Sequence, residues 1–123
     1  MREADRRVSQ SGAIMELTIE VQESIEAMKL CAKSCHETGN ICESLSGTDL
    51  VKEYCRTSEK LCERNIQKLT EGDTSYNLDT IRALEKCRVE CDKNSEYMDS
   101  ARRTSDNCRK TANACRKIQA LAV

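Results

Sequence analysis

Apolar and thiol-bearing residues recur along this chain at steps of three, four and seven. The first run is Ile14, Leu17, Val21, Ile25, Met28, Cys31, Cys35, Cys42 and Leu45. Such steps place a run of side chains on one stripe of an α-helix. Ser46-Gly47-Thr48-Asp49 then offers a stop and a new N-cap. A second stripe carries Val51, Tyr54, Cys55, Ser58, Leu61, Cys62, Ile66 and Leu69, and Glu71-Gly72-Asp73-Thr74-Ser75 is the clearest loop. A third helix is predicted from Leu78, Ile81, Leu84, Cys87, Cys91 and Met98, and a fourth from Cys108, Ala112, Cys115, Ile118 and Leu121. One helix from Leu78 to Leu121 would be about 65 Å long and could not fold back over its own apolar face. A turn is therefore expected between Asp99 and Thr104, near Ala101, with Thr104 or Ser105 capping the fourth helix.

The expected fold class is all-α, an antiparallel four-helix bundle with a Cys-lined core. Residues 1–12 read as a flexible leader and 13–123 as a single bundle domain. The set Cys31, Cys35, Cys42, Cys55, Cys62 resembles the set Cys87, Cys91, Met98, Cys108, Cys115. That likeness suggests a duplicated helical hairpin.

Folding each hairpin about its turn predicts which residues share a level. A first turn near Gly47 brings Cys62 level with Cys31 and sets Cys55 between Cys35 and Cys42. A second turn near Ala101 sets Cys115 between Cys87 and Cys91, with Cys108 below Met98. The thiols then fill one end and the middle of the bundle. Ile14, Leu17, Val21, Ile25, Ile66, Leu69, Leu78, Ile81, Leu84, Ile118 and Leu121 collect at the other end.

Composition narrows the chemistry. The chain has no Pro, Phe or Trp, which favours long unbroken helices, and its 9 Cys far exceed ordinary usage. Its charged residues amount to 33% with a net charge of -1, so no basic stripe offers itself to nucleic acid. No apolar run approaches the roughly 18 residues of a membrane span. The polar start lacks a signal-peptide pattern, so a cytoplasmic location with reduced thiols is expected.

Nine thiols on an inward seam point to a metal. Cys31/Cys35 and Cys87/Cys91 are i,i+4 pairs, whose sulfurs can converge on one ion. Cysteines seven apart are about 10.5 Å apart and mark successive levels instead. Thiolates select copper(I), zinc or iron–sulfur clusters. Copper(I) accepts two or three sulfurs, whereas zinc wants four placed tetrahedrally. Iron–sulfur ligation usually uses C-x2-C spacing, which is missing here. Copper(I) is therefore the expected ion and zinc the alternative. Bridging thiolates would link the levels into a chain or cluster of ions.

The segments Cys31-Ala-Lys-Ser-Cys35-His36-Glu-Thr38-Gly-Asn-Ile-Cys42 and Cys87-Arg-Val-Glu-Cys91-Asp-Lys-Asn-Ser95-Glu-Tyr97-Met98 resemble parts of the cysteine-rich copper storage proteins. The resemblance spans about residues 28–118. It implies a four-helix bundle, commonly a homotetramer, that holds many copper(I) ions along its core for cytosolic storage. Family members often carry more Cys; here Cys55, Cys62, Cys108 and Cys115 each stand alone on their turns, which implies a smaller capacity. The resemblance favours Met98 as a further ligand, and His36 is a candidate on the affinity of imidazole for copper and zinc. The candidate ligands are thus Cys31, Cys35, Cys42, Cys55, Cys62, Cys87, Cys91, Cys108, Cys115, Met98 and His36.

No carboxylate pair, nucleophile–base arrangement or phosphate loop suggests an enzyme. A copper chaperone or a small thiol is the expected exchange partner. The rival readings are a thiol-redox or disulfide-stapled helical protein, and a structural or partner-binding bundle that has lost metal binding.

Overall fold

The computed structural model describes the backbone of residues 2–122 and the side chains of residues 17–121. Four helices follow in order: α1 (Arg2–Cys42), α2 (Asp49–Thr70), α3 (Asn77–Lys93) and α4 (Asp99–Ala122). They form a four-helix bundle in which α1 and α3 each pack on both α2 and α4. Neighbouring helices are antiparallel, as short connections require. No helix among the described residues is long and apolar enough to cross a membrane.

α1 begins at Arg2, well before the stripe that starts at Ile14. Residues 2–12 carry Arg, Glu, Ala, Gln and no Pro, which are compatible with helix on propensity alone. The side chains of the expected leader, and that of Ile14, lie outside the described residues.

The first turn falls where expected. Gly47 takes φ 80°, a left-handed conformation that a Cβ would disfavour. Thr48 occupies the N-cap position of α2, yet its hydroxyl turns the other way. It donates to the Leu45 carbonyl at 2.7 Å and the Cys42 carbonyl at 3.2 Å, satisfying acceptors left over at the end of α1. α2 ends at a second left-handed glycine, Gly72, with φ 81°. The Gly72 amide donates to the Leu69 carbonyl and the Asp73 amide to the Lys68 carbonyl, the paired bonds of a Schellman cap.

The third turn lies earlier than the sequence suggested. α3 stops at Lys93 and α4 starts at Asp99, so the chain reverses over residues 94–98 and not near Ala101. Asn94 makes this turn without glycine. Its side-chain amide donates to the Glu90 carbonyl at 2.9 Å, and its own carbonyl accepts from the Tyr97 and Met98 amides. Thr104 and Ser105, expected as caps, sit inside α4 and are buried. The two hairpins therefore differ: α1 runs through Cys42, whereas α3 ends short of Met98.

The core holds all nine cysteines together with Met28, Val51, Leu69, Ile81, Leu84, Met98, Ala112 and Ile118. Leu17, Val21, Ile25 and Ile66 pack against it, half-buried. Leu78 and Leu121, expected inside, are each 43% exposed, and Leu45 is also on the surface. The apolar seam is thus narrower than the stripes suggest. Burying one aliphatic side chain contributes about 1.5–3 kcal/mol.

Candidate metal centre

α1 and α4 close the bundle through hydroxyls. Ser34 Oγ lies 2.6 Å from Thr104 Oγ1, and Thr104 Oγ1 donates to the Ser34 carbonyl at 3.0 Å. Thr38 bonds to Ser100 and, at 2.9 Å, to Thr104. Thr111 Oγ1 donates to the Ala27 carbonyl at 3.2 Å. All five of these residues are buried. Such short side chains satisfy one another, so the seam carries polar atoms without the penalty of leaving them unpaired. This ladder fixes the register that brings Cys108 of α4 against Cys31 of α1.

The nine cysteines are all free and all buried. Cys31 Sγ lies 3.7 Å from Cys108 Sγ. Cys55 Sγ lies 3.7 Å from Cys87 Sγ and 3.8 Å from Cys91 Sγ, and Cys87 and Cys91 are 3.9 Å apart. Two triads emerge, Cys31–Cys35–Cys108 and Cys35–Cys55–Cys87, each with its sulfurs within 4.8 Å of one another. Cys35 belongs to both. Cys62 neighbours Cys31, as its expected level requires. Cys55 bonds to Cys35, again as expected.

The second hairpin departs from expectation because its turn comes early. Cys108, not Cys115, neighbours Cys87. Cys115 lies lower, with its sulfur 3.2 Å from Ser24 Oγ of α1. Cys42 sits towards the turn end, where the Thr48 hydroxyl reaches it. Thus seven thiols form one contiguous cluster, with Cys42 above it and Cys115 below.

Met98 is buried, yet it belongs to the turn before α4 and not to α3. It helps line a pocket of about 260 Å³ with Leu45, Gly47, Thr48, Asn94 and Tyr97 at the turn end. His36 is on the outside of the bundle. Its side chain is 55% exposed, and its Nδ1 lies 2.9 Å from Glu59 Oε2. Arg56 reaches the same glutamate and also Glu43. His36 is therefore apart from the thiol core.

Acidity is shared unevenly in the cluster. Hydrogen bonds from Cys108, Cys35 and Cys62 outweigh burial at Cys31 and hold its thiol well below the usual range. Those from Cys108, Cys35, Cys55 and Cys91 act alike on Cys87. Four of the partners, Cys35, Cys62, Cys91 and Cys108, hold their protons more tightly than an ordinary thiol. Bonding to Cys108 and Cys31, then burial, raises Cys35; bonding to Cys31 and burial raise Cys62. Cys91 is raised through Cys55 and Cys87, and Cys108 through Cys31 first. Burial leads the rise at Cys42 and Cys115. A soft metal entering this core finds two favoured thiolates among thiols that must still shed protons.

Two buried amides escaped sequence reasoning. Asn65 and Asn77 are fully buried, and Asn65 Nδ2 donates to Asn77 Oδ1 at 3.2 Å. Asn77 Nδ2 donates in turn to the Cys115 carbonyl and to Gln119 Oε1. A signal existed in hindsight: Asn65 follows Cys62 by three residues and so continues its face.

Compared with protein-family models, curated proteins and solved structures, the chain matches none, so its function is read from its own geometry. That geometry is a cysteine-rich four-helix bundle whose clustered thiols are compatible with holding metal.

Proposed function

We propose that this chain binds and stores several copper(I) ions on the thiolates of its core. The observation that carries the reading is the pair of buried sulfur triads joined at Cys35. Three thiolates at this spacing suit a soft ion that accepts two or three sulfurs. A shared thiolate can bridge two such ions, so the triads would fill as one cluster. Zinc is the weaker candidate, since a triad is one ligand short of a closed tetrahedral site. The likeness of the Cys31–Cys42 and Cys87–Met98 segments to copper storage proteins supports the same reading. It extends it to a cytoplasmic homo-oligomer, a tetramer on the family pattern.

Storage suits the site better than catalysis. The sulfurs are shielded from solvent. Shielding keeps copper(I) from oxidants. Release would proceed by thiol exchange, with a copper chaperone or a small thiol accepting the ion.

Anaerobic titration of the reduced chain with copper(I), against a strong competing chelator, tests this. Several ions per chain are expected to stay bound. Retention of fewer than about two ions would overturn storage, because a single triad could account for them. A parallel zinc titration that saturates more tightly would reassign the metal. Nine titratable thiols are expected in the metal-free chain; a low count would favour the redox or stapled alternative.

A further inference from the structure

Away from the sulfur core, α1 and α4 carry exposed side chains along the two rims of the seam between them. On α1 the row is Ile19, Glu23, Leu30, Glu37 and Ile41, at steps of four and seven. On α4 it is Arg103, Lys110, Lys117 and Leu121, again at steps of seven and four. The seam contacts place both rows. Ala27, Ser34 and Thr38 of α1 bond to α4, and Leu30, Glu37 and Ile41 each follow one of them by three residues. Thr104 and Thr111 of α4 bond to α1, and Arg103 and Lys110 each precede one of them by one residue. Both rows thus turn outward beside the same seam.

Two features of this face point to a second copy of the chain. Ile19, Leu30 and Ile41 follow one another at eleven residues, close to three full turns, so they stand in line. They are 51%, 63% and 40% exposed, which sets them apart from apolar residues scattered singly over a surface. The charges are also sorted by helix. Those of the α1 row are acidic and those of the α4 row basic, so a two-fold rotation makes the face complementary to itself. Glu23, Glu37, Arg103 and Lys117 make no ion pair among the described residues, whereas Lys110 is paired along its own helix with Asp106.

We propose that α1 and α4 form the docking face for a second copy of this chain, related by a two-fold axis along the seam, with α1 of each copy lying on α4 of the other. The proposal gives the homo-oligomer of the storage reading a definite face and needs no copper. Rotation about an axis parallel to the helices leaves every residue at its own height. Levels across the interface are therefore those within the chain, where Ser24 meets Cys115, Cys31 meets Cys108 and Ser34 meets Thr104. On that scale Glu23 faces Lys117 of the other copy, Glu37 faces its Arg103 and Ile19 its Leu121, each within a turn. Leu30 lies against the aliphatic stem of Lys110 of the other copy. The acidic pair and the basic pair are each fourteen residues apart, so both ionic contacts close together. Exposed ion pairs are individually weak. Leu30 and its apolar neighbours therefore supply the affinity, and the charges select the partner and its orientation.

Sedimentation equilibrium of the metal-free chain at micromolar concentration tests the face. An even-numbered assembly is expected, and Leu30→Lys should halve its mass by setting a charge against Lys110. Glu23→Lys/Glu37→Lys and Arg103→Glu/Lys117→Glu should each do the same alone, since every contact then opposes like charges. Mixed in equal amounts, those two variants should recover the wild-type mass, because each supplies the sign the other lacks. Adding Leu30→Lys to either should abolish the recovery. All five positions are exposed, so the folded bundle should survive these changes. A wild-type chain that stays monomeric overturns this face and the homo-oligomer together, and leaves copper binding standing. An assembly indifferent to Leu30→Lys puts the interface elsewhere and overturns the face alone. A mixture that stays monomeric overturns the pairing of α1 with α4.

Discussion

Around Cys35 the core is filled with sulfur; towards the Gly72 turn Leu69, Ile81 and Ile118 fill it instead. The same four helices supply both regions, with the same inward spacing. In the sulfur region the side chains touch one another across the bundle, and their hydrogen bonds divide protons unequally. In the aliphatic region area removed from water does most of the holding. The contrast teaches that one bundle can separate the part that keeps it folded from the part that reacts. A metal-free chain can then persist as a folded receiver, unlike domains whose fold depends on the ion.

The separation breaks most sharply at Leu84. Leu84→Ala, at a fully buried aliphatic position, should cost about 2–5 kcal/mol of stability in urea denaturation. Its copper capacity under native conditions should be unchanged. Cys35→Ser should do the reverse. It should cost the metal-free chain about 1 kcal/mol, since the hydroxyl inherits polar neighbours. Yet it should remove ions from both triads, so that capacity falls by more than one. A loss confined to one ion would show that the triads fill independently.

The amide pair tests the border between the regions. Asn77→Ala strands the Asn65 amide and should destabilise the chain by about 1–3 kcal/mol. The double variant Asn65→Leu/Asn77→Leu should recover most of that loss, because neither buried amide then remains to be stranded. Acid probes the sulfur region alone. Cys35, Cys62, Cys91 and Cys108 hold their protons above the usual thiol range, so metal must displace them. Apparent copper affinity should therefore rise with pH and fall as acid restores those protons, which competition titrations at two pH values would measure. The smallest effect belongs to His36→Ala. Its hydrogen bond with Glu59 lies at the surface, so stability should change by less than about 1 kcal/mol. The number of tightly held ions should stay the same.

Much of the fold was legible because helical periodicity is a property of the sequence. The Gly47 and Gly72 turns announced themselves, and the stripes placed every cysteine inside. The third turn was hidden because no glycine marks it: Asn94 turns the chain at an ordinary negative φ, held by its side-chain and carbonyl hydrogen bonds. Thr104 and Ser105 misled for a related reason. Hydroxyl residues cap helices, but they also bridge two helices that lie close together, and only the packing decides which. That error displaced Cys108 and Cys115 by roughly two turns in the expected register. The exposure of Leu78 and Leu121 was illegible too, since periodicity gives the direction of a stripe and not its width. Within the site, Cys31 facing Cys62 followed from the first turn alone. The triads did not, because they depend on where α3 and α4 reverse.

Each triad draws on both halves of the chain: Cys31 and Cys35 with Cys108, and Cys35 and Cys55 with Cys87. Neither hairpin owns a complete centre. An ion bound there is also a clasp between the first half and the second, and prying the halves apart means surrendering the cargo. A filled chain should accordingly resist proteolytic nicking at the Gly72 loop far longer than an empty one, and a stored ion would guard its own container.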